Sequence, residues 1–295
     1  MYRKIMGFLE AWKESEHRKP LILQGARQVG KTYSILEFGR THYENVAYFN
    51  FETNPKLNET FEENISPDYL IPILSHIAGQ TIVREKTLIV FDEVQLCERA
   101  LTSLKYFCED APDYHIIVAG SLLGVAVNRA KFSFPVGKVD MKTLYPMDME
   151  EFMLAMGENA LVEQIRKCFE TDRPMPSALH DAAMQLYRQY LVIGGMPECV
   201  MQYADTKDYI LVRHTQDTIL ASYLNDMSKY NNLNEIKKTR LAYDNITVQL
   251  SKKNTRFQYK LIKKGGRASE FENAIEWLCL SGIVSQIYKV EQIKK

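Results

Sequence analysis

Residues Gly25–Thr32 read GARQVGKT and fit the pattern Gly-x4-Gly-Lys-[Ser/Thr]. Chemistry is legible in that spacing. Glycines let the backbone curl until successive N–H groups point inward, a cradle for phosphate oxygens. A helix opening at the end of the loop adds its N-terminal partial positive charge. Lys31 is placed to reach the β- and γ-phosphates of a nucleoside triphosphate, and the Thr32 hydroxyl can ligate Mg²⁺. The candidate nucleotide-binding residues are therefore Gly25, Ala26, Arg27, Gln28, Val29, Gly30, Lys31 and Thr32, with Tyr33 opening the helical stretch that follows. The apolar run Leu21–Leu23 precedes the loop, so the strand–loop–helix context is present.

A second stretch, Leu88–Glu93, reads LIVFDE: an apolar strand ending in two carboxylates. Charges do not sit beside buried strands without a partner. Asp92 is expected to hold Mg²⁺ through water, and Glu93 to orient and deprotonate an attacking water. That pair favours hydrolysis over a kinase reaction, which must exclude water and needs an acceptor site. A third apolar stretch, His115–Ser121 (HIIVAGS), ends in a hydroxyl. Ser121 can sit between the other two motifs and touch the γ-phosphate or the water; the alternative is a serine that caps the next turn. The sequence AGSLLG is not Gly-x-Ser-x-Gly, so a serine-hydrolase elbow is unsupported. Arg129 can stabilise transition-state charge on a neighbouring subunit, or is simply solvated. Gly194-Gly195-Met196-Pro197 is either helix punctuation or a wall against an adenine.

These residues need a frame. Apolar runs at Leu21–Leu23, Val46–Phe51, Leu88–Phe91 and Ile116–Ala119, and a weaker one at Val139–Leu144, alternate with helical patterns such as Glu98–Asp110. That alternation predicts an α/β fold with a parallel sheet wrapped on both faces. At the N-terminus Ile5, Phe8, Leu9 and Trp12 lie at helical spacing. After Pro146 the strand signals vanish, and Met147–Met156, Leu161–Phe169, Ala178–Leu191 and Lys207–Asn225 read as helices. Between residues 231 and 267 stand ten basic and two acidic residues, a net +8. A helix at Ser269–Ser281 and an alternating, strand-like run at Ile283–Val290 then predict a winged helix-turn-helix. The expected organisation is an α/β domain over 1–145, a helical lid over 146–230 and a basic winged-helix-like unit over 231–295.

Composition narrows the class. The 295 residues carry 37 basic and 37 acidic side chains, which gives no support to wholesale binding of nucleic acid or acidic membrane but leaves room for a local basic patch. Five widely spaced cysteines without CxxC exclude a disulfide framework, and six scattered histidines exclude an HExxH zinc site. The N-terminus lacks a secretory h-region, and no apolar run approaches the roughly 18 residues of a membrane helix. A cytoplasmic location is expected.

The stretches GARQVGKT, LIVFDEVQ, IIVAGSLLG, FPVGKVDMKTLYPMDMEEF and YLVIGGMPECV occur in that order. From about Arg3 to its C-terminus the chain resembles the bacterial and archaeal AAA+-like P-loop ATPases that carry an added C-terminal domain of unknown function. The resemblance implies a P-loop sheet in the order 5-1-4-3-2, Ser121 in the sensor position, Pro197 in a glycine–proline motif near the base, and Arg129 where an arginine finger sits in many relatives. It implies ATP and Mg²⁺ as cofactors and a possible homo-oligomer. Members usually continue into a domain compared with restriction-type nucleases, so a truncated or natural short form is expected here. The leading expectation is Mg²⁺-dependent ATP hydrolysis that drives a switch or motor. The rival is a nucleotide-gated DNA-binding protein with negligible turnover, its +8 segment on DNA. A small-molecule kinase is a third reading. No guanine-reading NKxD tetrapeptide occurs.

Overall fold

The computed structural model describes residues 1–121, 135–230, 233–253 and 256–288. The chain falls into two compact units, Met1–Asp217 and Thr218–Lys295.

The first unit is built on five strands: β1 (Leu21–Gly25), β2 (Asn45–Asn50), β3 (Thr87–Asp92), β4 (His115–Ser121) and β5 (Asp140–Leu144). Their order is β2-β3-β4-β1-β5 and every pairing is parallel, the order expected from the sequence. Strands covered on both faces read as unbroken apolar runs, and all six residues of β3 are buried. β5 (DMKTL) pairs with β1 alone, and as an edge strand it tolerates the polar residues that weaken its signal. Registers Gly25↔Ser121 and Asn50↔Asp92 bring the C-terminal ends of four strands together along one rim.

Helices α1 (Ile5–Lys13), α2 (Lys31–His42), α3 (Lys56–Glu63), α4 (Pro67–Ala78) and α5 (Glu98–Asp110) accompany the sheet. α1 buries Ile5, Leu9 and Trp12. Phe51, Phe61 and Phe91 meet edge to face with centroids 5.6–5.8 Å apart and fill the core beneath α3. Beyond Pro146 come α6 (Met149–Ala155), α7 (Asn159–Glu170), α8 (Ser177–Ile193), α9 (Pro197–Thr206) and α10 (Tyr209–Tyr230). α6 starts later than the apolar pattern, because Asp148 caps it: its carboxylate accepts from Glu151 N while the Glu151 side chain returns to Asp148 N. Lys207, expected inside a helix, stands between α9 and α10 in the left-handed conformation (φ 54°) that ends α9.

The second unit contains α11 (Leu233–Leu250) and α12 (Ala268–Leu280), which pack together around Ala242, Phe271, Ala274, Ile275 and Leu278. The expected wing strand does not form over 283–288, and residues 289–290 lie outside the described residues. A strand needs a neighbour for its backbone groups. This unit offers none among its described residues, and Ile287 is 95 % exposed.

His115 opens β4 at the end opposite Ser121. It is 4 % exposed, its Nδ1 lies 2.7 Å from the Tyr43 hydroxyl, and its Nε2 has no hydrogen-bond partner among the described residues. Burial, aided by the positive charges of Arg18 and Lys13, pushes its pKa down from 6.5 to about 4. The folded chain therefore keeps it neutral, while the unfolded chain charges it near pH 6.5. The linked stability, on the order of 3 kcal/mol, is complete above that pH and drains away as pH falls from 6.5 to 4. Urea unfolding at stepped pH should show a steeper acid decline for the wild type than for His115→Phe. Equal slopes would exclude His115 as the source.

Candidate functional site

The site lies along the rim where β1, β3 and β4 end. β1 stops at Gly25, where a Cβ would stand 2.3 Å from the Leu144 carbonyl oxygen of the neighbouring strand, so only glycine fits. The loop turns through left-handed conformations at Gln28 (φ 62°) and Gly30 (φ 88°). α2 then opens at Lys31, leaving its first N–H groups without intrahelical partners. The Lys31 ammonium curls back across the loop and donates to Gly25 O (3.0 Å) and Ala26 O (2.8 Å). Burial lowers its pKa to about 8, opposed by the negative charges of Glu93 and Asp92 and reinforced by Arg27. Tyr33, the third residue of the helix, is 57 % exposed.

Asp92 ends β3 with only 5 % exposure. Its Oδ2 accepts from Thr32 Oγ1 (2.9 Å) and from the Tyr48 hydroxyl (2.7 Å), and its Oδ1 from Glu93 N (3.0 Å). Burial pushes the Tyr48 hydroxyl up to about 12, and the bond to Asp92 pushes the same way against the bond from Asn50. The three donors on Asp92 are neutral, and a hydroxyl and a carboxylate from motifs 60 residues apart already converge. Hard oxygen ligands held this close fit a small divalent cation such as Mg²⁺. Among the described residues there is no group of three or more His, Cys, Asp and Glu that could hold a metal.

Glu93 takes the left-handed conformation (φ 53°, ψ 38°), uncommon for a residue with a Cβ and typical of sites that aim a side chain. The 3-10 turn Val94–Leu96 follows, and the Gln95 amide donates to the Glu93 carboxylate. Ser121 pairs with Gly25 in the sheet register and so lies next to the start of the phosphate loop. Arg129 lies outside the described residues. Pro197 is the first residue of α9, and its Cγ is 3.7 Å from where a Cβ would stand on Gly30. The Gly194–Pro197 segment thus punctuates two helices and also abuts the loop. A Cβ at Gly195 would lie 2.1 Å from Met147 O, and Met147 N donates to Gly195 O (2.6 Å).

Three residues here went unread in the sequence: Tyr48, Gln95 and Arg3. Arg3 is 4 % exposed, and its guanidinium donates to Val29 O (2.8 Å), Tyr145 O (2.8 Å) and Glu151 Oε1 (3.2 Å). Its setting, MYRKIMG, reads as a solvated helix start, and no local signal announces a buried cation.

Residues 17–153 match a family described as an AAA domain, and residues 184–295 one described as a domain of unknown function, DUF8612. No curated protein matches the chain. Among solved structures, a Walker-type ATPase of Pyrococcus abyssi is similar at a TM-score of 0.59 and 14 % identity, over 95 % of this chain and 89 % of that one. The RuvB Holliday-junction branch-migration motor of Thermotoga maritima gives 0.40 at 15 % identity, over 96 % and 88 %. The Drosophila ORC bound to DNA gives 0.40 at 15 %, over 92 % and 79 %. The first likeness is one of fold, the P-loop ATPase fold. Among the described residues no helix is long and apolar enough to cross a membrane.

Proposed function

Starting from an AAA domain over residues 17–153 joined to a domain of unknown function over residues 184–295, we propose that this chain binds ATP with Mg²⁺ and hydrolyses it to drive a switch or motor. The observation that carries this reading is the meeting of Thr32 and Asp92, 2.9 Å apart, beside a half-buried lysine at a helix N-terminus. Residues Gly25–Thr32 hold the phosphates by their N–H groups and by Lys31. Thr32 and Asp92 would hold Mg²⁺, which when bound would draw charge from the phosphate oxygens. Glu93 takes a proton from the attacking water, and its left-handed backbone aims the carboxylate out of the β3 line. Gln95 steadies that carboxylate. Ser121 and, from a second copy, Arg129 act on the γ-phosphate; the place of Ser121 at the end of β4 beside Gly25 supports the first role, and the sequence with its resemblance the second. The functional division is 1–145 for chemistry, 146–230 for the helices that respond to product release, and 231–295 for a partner.

One observation favours a second reading, a nucleotide-gated DNA binder with little turnover. Of the ten basic residues between 231 and 267, all but Lys238 are exposed. Lysines on phosphates release counterions, so such binding weakens steeply with salt. One experiment separates the readings: phosphate release from Mg²⁺–ATP by the full chain, with and without duplex DNA, at stepped salt. Steady release that needs no acceptor supports hydrolysis and rules out the kinase. Salt-sensitive DNA binding without release supports the second reading. Neither release nor DNA binding sinks both.

A further inference from the structure

We propose that Arg3 is a positioning residue for the phosphate loop, holding the Val29–Gly30 peptide so that the Gly30 N–H faces the phosphate. This rests on the reading of Gly25–Thr32 as a nucleotide site. Arg3 Nη1 donates to Val29 O at 2.8 Å from behind the loop, and it lies 3.4 Å from the place a Gly30 Cβ would occupy. Every peptide bond among the described residues is trans. In a planar trans peptide the C=O and the next N–H point in opposite directions. Fixing the Val29 carbonyl on Arg3 therefore turns the Gly30 N–H away from Arg3, toward the open side of the loop. Gly30 has no side chain to resist a flip of that plane, and its φ of 88° is open to alternatives.

The guanidinium is itself anchored. Its Nε donates to Glu151 Oε1, and its Nη2 to Tyr145 O in the turn between β5 and α6. Glu151 also accepts from Lys4 N (2.6 Å) and Asp148 N (3.3 Å), so it is tied into the start of α6. A planar fork that meets three acceptors at once is a task lysine cannot perform. Arg3 thus sets the loop against the α6 start, as a group acting through the backbone and never on the nucleotide.

Two variants test this. Arg3→Lys keeps the charge for Glu151 but loses the fork. The double variant Arg3→Met with Glu151→Met removes the buried pair together, which leaves no unpaired charge. Calorimetry with ATP and Mg²⁺, steady-state kinetics and the ¹⁵N–¹H resonance of Gly30 are read beside wild type and Lys31→Ala. The expected result is folded variants that bind ATP about 10- to 100-fold more weakly, the worth of a hydrogen bond to a charged group. KM should rise more than kcat falls, and the Gly30 resonance should shift without nucleotide. A residue that only stabilises the fold would lower the melting temperature and leave the affinity and the Gly30 resonance of the folded protein unchanged; that result overturns the proposal. So does failure of both variants to fold, which would make Arg3 a requirement of the fold instead. If wild type itself fails to bind ATP, the nucleotide reading falls, while the Gly30 resonance still decides whether Arg3 sets that peptide.

Discussion

Lys31→Ala is expected to abolish tight ATP binding, weakening affinity by about 100-fold or more, the sum of a lost charge and its charge-assisted hydrogen bonds. Two features make the effect large. The ammonium is half-buried at the mouth of α2, and its bonds to Gly25 O and Ala26 O hold it over the loop in advance. Its pKa, lowered to about 8 by burial, adds a second signature. Below pH 8 the free protein carries the charge; above it the proton leaves. A triphosphate favours the charged form, so binding above pH 8 must take up a proton. Wild-type affinity should then fall as pH rises past 8, by up to about tenfold per unit. Calorimetry in buffers of different ionisation enthalpy measures that uptake directly. Lys31→Ala should lack it, and a wild-type affinity flat from pH 7 to 9.5 would refute the assignment.

Glu93→Gln is expected to bind ATP about as tightly as wild type while turnover drops by roughly 10²-fold or more, the typical worth of a general base. The amide matches the carboxylate in size and leaves the left-handed backbone as it is, so the phosphate loop and Asp92 stay in place. Single-turnover phosphate release beside equilibrium binding separates the two effects. A variant that no longer binds, or that still turns over within about threefold of wild type, would contradict this division of labour.

Much of this frame can be read from residues alone. Runs such as LIVF and IIVA have both faces buried in a parallel sheet, and α5 falls at Glu98–Asp110 as its pattern predicts. α3 leaves little pattern because its eight residues bury only Leu57 and Phe61, and α4 because proline interrupts its periodicity. Pro67 sits harmlessly in the first turn of α4, but Pro72 lies inside it and removes a backbone donor. The Ile283–Val290 run misled for the opposite reason. Alternation describes a strand only where a partner exists, and residues 283–288 have none among the described residues.

The stretches GARQVGKT and LIVFDE can be read because neighbours in sequence define them. Their supports cannot. Tyr48 reaches Asp92 across two strands, Asn50 being the partner of Asp92 in the register. Arg3 meets acceptors 26, 142 and 148 residues away. No local pattern encodes such pairings; only the folded topology brings them together.

The proline ring of Pro197 beside Gly30 has a consequence of its own. A long flexible side chain at that spot would soak up small displacements by changing rotamer. A ring with no such freedom passes them on undamped. Gly30 carries no side chain, so a narrow gap parts the ring from the loop backbone. A small advance of the loop would meet that ring, so a spectroscopic label on α9 should register the filling of the loop before any larger rearrangement begins.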